Sequence, residues 1–342
     1  MIRVYRTAVR WFFHLEAYEV AGLLMSIGAL VIFLRYGQRL DEVFSYRGMP
    51  GQMLNNVYAL MLKPATWESL TLFLVFFTGF LILRQRHSRI PQRISYFSRL
   101  ALSFIVMMTI YKIIIFYINV FNPFDRDFVI MHIDKILFFG KLPSQWIAPL
   151  VNPVFNVIFS TAYMSWFILV YATVLLLYKH SKKAVKNYMT TAIFTFYIGY
   201  IGYFFVPAVG PVFMVHYQSS VGALPRLLVL GQSSIARDCF PSLHTGISLV
   251  MAANIWKYRR RWSWFYIPVA SLIILSTIYL RVHYFLDVAA GTALSVVTIQ
   301  LSPYLSAAWE QFRARVLLET GMDTTAGLVL RQGWSELARD SR

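Results

Sequence analysis

Two residues able to do acid–base or nucleophilic chemistry stand four apart in the stretch Arg281-Val282-His283-Tyr284-Phe285-Leu286-Asp287. On a helix, that spacing puts a carboxylate within reach of an imidazole. A carboxylate on one ring nitrogen fixes the tautomer and leaves the other nitrogen as base, nucleophile or metal ligand. The plainer reading is a satisfied His–Asp bond that holds two helices together. The stretch lies between two apolar runs, Ser263 to Leu280 and Val288 to Leu301. Ionisable groups in such a place are costly unless they face a cavity or a partner.

A second stretch, Asp238-Cys239-Phe240-Pro241-Ser242-Leu243-His244-Thr245-Gly246, offers another histidine beside two hydroxyls. Pro241 suits a helix start, where Ser242 and Thr245 can cap the helix or bind an anion against the exposed amides. The positive end of the helix favours phosphate there.

The elements that must position these residues are membrane spans. The chain has 342 residues, 58% of them hydrophobic and only 14% charged. That excludes an ordinary soluble domain and predicts an all-α polytopic membrane protein. Apolar runs at about 18–34, 68–83, 100–120, 153–178, 188–206, 243–256, 264–280 and 285–302 predict about eight transmembrane helices. The net charge of +17 comes from short basic clusters between those runs, which argues for membrane orientation and against nucleic acid. The clusters are Arg3, Arg6 and Arg10; Arg84 to Arg99; Lys179 to Lys186; and Lys257 to Arg261. The positive-inside rule puts all four, and both termini, in the cytoplasm. Both histidine stretches then meet on the outer face, an outcome that no chemical assumption had built in. The N-terminus shows no cleavable signal peptide, and a single cysteine, Cys239, allows no internal disulfide.

Between the spans, residues 121–152 read as a partly ordered outer segment with an interfacial helix around 130–141. Residues 207–241 are long for a bare connection and read as a lid or substrate-binding loop. The organisation expected is two additional helices and a basic loop over 1–99, a six-helix core over 100–302, and a cytoplasmic tail over 303–342.

The motif Phe240-Pro-Ser-Leu-His-Thr-Gly246 resembles the second motif, P-S-x-H, of the type-2 phosphatidic acid phosphatase superfamily. Tyr279-Leu-Arg-Val-His-Tyr-Phe-Leu-Asp-Val-Ala-Ala-Gly291 resembles its third, which ends H-x-x-x-D. With Leu243 where Gly is usual, the form is most similar to the inositol-phosphorylceramide synthase-like branch. The resemblance implies a six-helix core and metal-free phosphoester cleavage through a phosphohistidine, with no cofactor. It implies His283 as nucleophile, Asp287 as its orienter, His244 as the acid on the leaving oxygen, and Ser242 on the phosphate. The donor expected is a phospholipid or a polyprenyl-phosphate-type lipid, and the acceptor a lipid alcohol or water. The setting expected is a cell inner membrane or a Golgi-type membrane, with the site on the outer or lumenal face.

Two departures leave the phosphate clamp open. The third motif usually begins Ser-Arg, but here it begins Ser276-Thr277, so Arg281 or Arg237 must supply the charge. The first motif, K-x6-R-P, has only partial matches, at Lys141 and at Lys112. Two other classes compete: a transporter using His283 and Asp287 as a proton relay, and a metal triad of His244, His283 and Asp287.

Overall fold

The computed structural model describes residues 12–36, 92–217, 221 and 237–321. Their regular structure is helical, with turns and loops between the helices: one isolated bridge, Ala208 to Asp238, is the sole β pairing among them. The helices are α1 (Ala17–Tyr36), α2 (Gln92–Ile114), α3 (Ile118–Phe121), α4 (Asp127–Leu137), α5 (Pro143–Trp146), α6 (Pro153–Tyr178), α7 (Lys182–Phe205), α8 (Pro211–Met214), α9 (Leu243–Tyr258), α10 (Ser263–Tyr279) and α11 (Phe285–Glu319). By contacts, the chain falls into two compact units, one of Met1–Ala21 with Asp125–Arg342, the other of Gly22–Phe124.

Five stretches, within α1, α2, α6, α10 with the turn before it, and α11, are long and apolar enough to cross a membrane. They make the chain an integral membrane protein. The span expected at 68–83 lies outside the described residues, as does most of the expected lid. The spans expected at 188–206 and 243–256 are the helices α7 and α9. These two fall short of the membrane-crossing mark in apolarity or length, and their burial gives the reason. A helix enclosed by other helices need not be apolar all round, and polar groups there can pair across the seam. Thr191 and Thr195 of α7 bond Ser302 and Thr298 of α11, with 2.7 Å between the Thr195 and Thr298 hydroxyl oxygens.

The helix of the span expected at 285–302 does not stop at residue 302. Helix α11 runs through Pro303 to Glu319, 35 residues, or about 52 Å at about 1.5 Å per residue, well over a bilayer core of about 30 Å. Its far end packs on the N-terminal segment: Trp309 Nε1 donates to the Leu15 carbonyl at 2.8 Å and stacks on Phe13. Lys186, at the start of α7, pairs with both Glu16 and Glu310. The N-terminal, α6–α7 and post-span segments therefore gather at one end of this unit.

Candidate active site

At the opposite ends of α9 and α11, the chain brings together the two histidine stretches. Ser242 caps α9, its Oγ accepting from the Thr245 amide (3.3 Å) and the Thr245 hydroxyl (3.1 Å), which leaves its own proton to donate elsewhere. The Ser242 amide donates to the Asp287 carbonyl at 3.0 Å. That bond needs the two helices nearly in contact, and Gly291 allows it: a Cβ there would lie 2.2 Å from the Ser242 carbonyl oxygen.

The turn between α10 and α11 carries Arg281 and His283. Arg281 adopts a left-handed φ of 64°, and His283 follows just before α11 begins. Asp287 sits at the third position of α11, where its Oδ2 accepts from the Tyr284 amide at 2.8 Å. His283 Nδ1 lies 3.4 Å from the same oxygen, with both residues buried. Nδ1 thus faces the carboxylate and Nε2 keeps the lone pair. Across from it, the ring of His244 stacks on Tyr163 at 4.4 Å and tilts against Trp166 at 4.6 Å, both from α6. The centroids of His244 and His283 are 5.9 Å apart. His244 Nε2 is buried and has no hydrogen-bond partner among the described residues.

Of the other residues singled out in the sequence, Arg281 is closest to the pair in the chain. Its guanidinium lies over the Tyr217 ring, with Cζ 3.8 Å from the ring centre, and Tyr217 is tied by its hydroxyl to Ser144 at 2.7 Å. Arg237 forms a forked ion pair with Asp125, at 2.6 and 3.2 Å. Lys141 lies over the Trp146 ring. Lys112 belongs to the other compact unit and lies near the ring of Tyr111. His283, Asp287, His244 and Ser242 are therefore brought together, while Arg237 and Lys141 are engaged elsewhere.

Leu243, taken above as a branch marker, packs against α7, where a Cβ on Gly199 would meet its side chain at 2.6 Å. Its immediate job is packing in a helix seam.

Three residues that sequence reasoning passed over hold the turn in place. Asp134 accepts from the amides of Phe285 (2.7 Å) and Leu286 (3.0 Å), capping the first turn of α11. Asp127 accepts from the amides of Val209 and Gly210 and from the Tyr284 hydroxyl at 3.0 Å. Both aspartates are fully buried on α4, seven residues apart, while Phe128, Val129, Ile136 and Leu137 of the same helix are exposed. The spacing was a readable signal, since two acids seven apart share a helix face. From the sequence alone, neither is assigned a role. Burial pushes the Asp134 carboxyl up to about 6, against the opposing pull of the two amides. Cys239 is the third: its Sγ lies 2.9 Å from Asp287 Oδ2 and 3.4 Å from His283 Nδ1. Burial, reinforced by the Asp287 charge, pushes its thiol well up, so it serves as a proton donor to the carboxylate.

Gly210, at φ 97°, completes the support: a Cβ would lie 2.6 Å from the Val282 carbonyl oxygen, so only glycine passes there.

The family model described as the PAP2 superfamily matches residues 129–301. The matched stretch covers half of the chain and holds both histidine motifs. The chain belongs to the PAP2 superfamily. No curated protein and no solved structure matched it. As a PAP2 superfamily member with membrane-crossing helices, the chain has a phosphatase-type activity on a lipid phosphoester as its expected chemistry, in a membrane setting.

Proposed function

We propose that this PAP2 superfamily member is a lipid phosphotransferase, cleaving a phospholipid or polyprenyl-phosphate-type donor on the outer or lumenal face and passing the phospho-group to a lipid alcohol. His283 Nε2 attacks phosphorus as the donor's P–O bond breaks, giving a phosphohistidine. His244 gives the leaving alkoxide its proton. In the second half, the acceptor hydroxyl loses its proton to His244, its oxygen attacks phosphorus, and the P–N bond breaks. Asp287 orients His283 and stabilises the imidazolium as charge develops. Ser242, the α9 amides and Arg281 balance the phosphate oxygens, since phosphoryl transfer needs mainly positioning and positive charge.

The observation that carries this reading is the pairing of an Asp-oriented imidazole with a second imidazole 5.9 Å away whose Nε2 has no hydrogen-bond partner among the described residues. Transfer is favoured over hydrolysis by the walls of the site. His283 is only 4% exposed, Ser242 and Asp287 are fully buried, and His244 is packed between Tyr163 and Trp166. A buried site with aromatic walls suits the alkyl chain of a lipid alcohol. The test is to incubate the purified protein with a panel of labelled phospholipids, with and without lipid alcohols, and to identify products by mass. The reading predicts a phospho-lipid product that forms only with the alcohol. Free head-group phosphate made at the same rate without alcohol would establish the water-accepting phosphatase instead.

A further inference from the structure

We propose that Cys239, His283 and Asp287 form an inhibitory site for one soft divalent cation, with zinc the best fit. The three ligand atoms make a compact triangle. Sγ is 2.9 Å from Oδ2 and 3.4 Å from Nδ1, and Nδ1 is 3.4 Å from Oδ2. Zinc bonds of about 2.0–2.3 Å in tetrahedral geometry set ligand pairs about 3.3–3.7 Å apart. Two edges already have that length, and the third opens by about half an ångström to accept the ion.

The donor set selects the metal. A thiolate, an imidazole and one carboxylate oxygen suit zinc, whereas magnesium and calcium want oxygen alone. All three side chains are buried, at 4%, 4% and 0% exposure, so little ordering remains to be done. A second observation points the same way: Asp287 Oδ1 is buried with no hydrogen-bond partner among the described residues. A carboxylate in that state gains from a cation more than one already satisfied. The triangle differs from the triad read off the sequence, because Cys239 takes the corner given there to His244.

Occupancy has a defined chemical consequence. Binding at Cys239 releases the thiol proton to solvent. Binding at Nδ1 displaces that nitrogen's proton, and the neutral ring then carries its proton on Nε2. The lone pair needed to attack phosphorus is gone. The ion is therefore an inhibitor, and chelation raises activity or leaves it unchanged.

The binding itself is independent of the proposed reaction, and the inhibition rests on it, so the experiment reads both. Detergent-purified full-length protein is freed of metal with a chelator and titrated with zinc, and with cobalt as a coloured probe of thiolate ligation. Wild type should bind one Cys239-dependent ion per chain and show a thiolate-to-cobalt charge-transfer band. Cys239→Ala should lose both, and Cys239→Ser should lose the band. Turnover of wild type should fall as zinc saturates that site, and residual turnover of the variants should need at least about tenfold more zinc. Equal zinc binding in wild type and Cys239→Ala, or cobalt binding without the thiolate band, would overturn the site. Binding as expected with no loss of turnover would overturn the inhibition, and would count against His283 as the attacking group.

Discussion

The amide of Ser242 donates to the carbonyl of Asp287 across 3.0 Å, tying the turn that carries one histidine to the helix that orients the other. The backbone thus fixes the spacing of His244 and His283 before any substrate arrives. A single phosphoester between them needs an attacking contact of about 3–3.5 Å on one side and a hydrogen bond of about 2.8 Å on the other.

If that spacing matters, then the two-helix contact should be intolerant of one methyl group. Gly291→Ala puts a Cβ against the Ser242 carbonyl oxygen and should abolish turnover and lower the apparent Tm. Gly28→Ala, where a Cβ meets nothing within 4 Å, should leave both unchanged or raise the Tm slightly. Turnover and thermal unfolding of the two variants in the same detergent make the comparison.

His244 as proton donor should matter most for poor leaving groups. His244→Asn should cost about 100-fold or more on an alkyl phosphoester and far less on a nitrophenyl phosphoester, whose leaving group needs no proton. Equal losses on the two substrates would reduce His244 to a packing residue between Tyr163 and Trp166.

Arg281 lies in the turn before α11, as a role on the phosphate requires, with its guanidinium over the Tyr217 ring. Arg281→Lys should lower turnover by about tenfold or more, since about 1.4 kcal/mol of lost transition-state contact is a factor of ten and Lys cannot reproduce a planar two-point grip. Full activity in Arg281→Lys, with a loss in Arg237→Lys, would move the clamp to Arg237.

The two ends of this unit differ in how legible they were. Hydrophobic runs announced the helices because lipid demands long apolar segments, and the two histidine motifs were plain from their spacing. The tail after residue 302 reads as a cytoplasmic helix with a loose end; what the sequence left open is that this helix is continuous with the last span through Pro303, with the N-terminal segment packed on the extension through Trp309. Asp127, Asp134 and Cys239 were missed because their partners are backbone amides and residues about 50 to 150 positions away. Chain proximity carries no trace of such bonds. Leu243 has a packing role that its place inside the motif does not announce, since it fills the seam against Gly199 of α7.

Asp134 supplies a pH test. Its carboxyl is pushed up to about 6 in the folded protein, chiefly by burial, against about 3.9 for a free aspartate. Between those values the folded state holds the proton more tightly than the unfolded one, so stability falls as pH rises from about 4 to about 6. Asp134→Asn should remove that portion of the slope in the apparent Tm. At pH 7 it should also lower turnover, because the charged cap on the Phe285 and Leu286 amides is lost, at a cost of about 1.5–3 kcal/mol. An unchanged slope would show that Asp134 titrates normally.

The central claim is the covalent one, and trapping tests it directly. Wild-type protein mixed briefly with a donor labelled in the transferable phosphate, then quenched in base and digested, should yield one labelled peptide that contains His283. The label should be stable to base and lost in acid. His283→Ala should yield none, and His244→Asn should still yield it from a nitrophenyl donor. Turnover at the wild-type rate in His283→Ala, or a label carried on any other residue, would contradict the account.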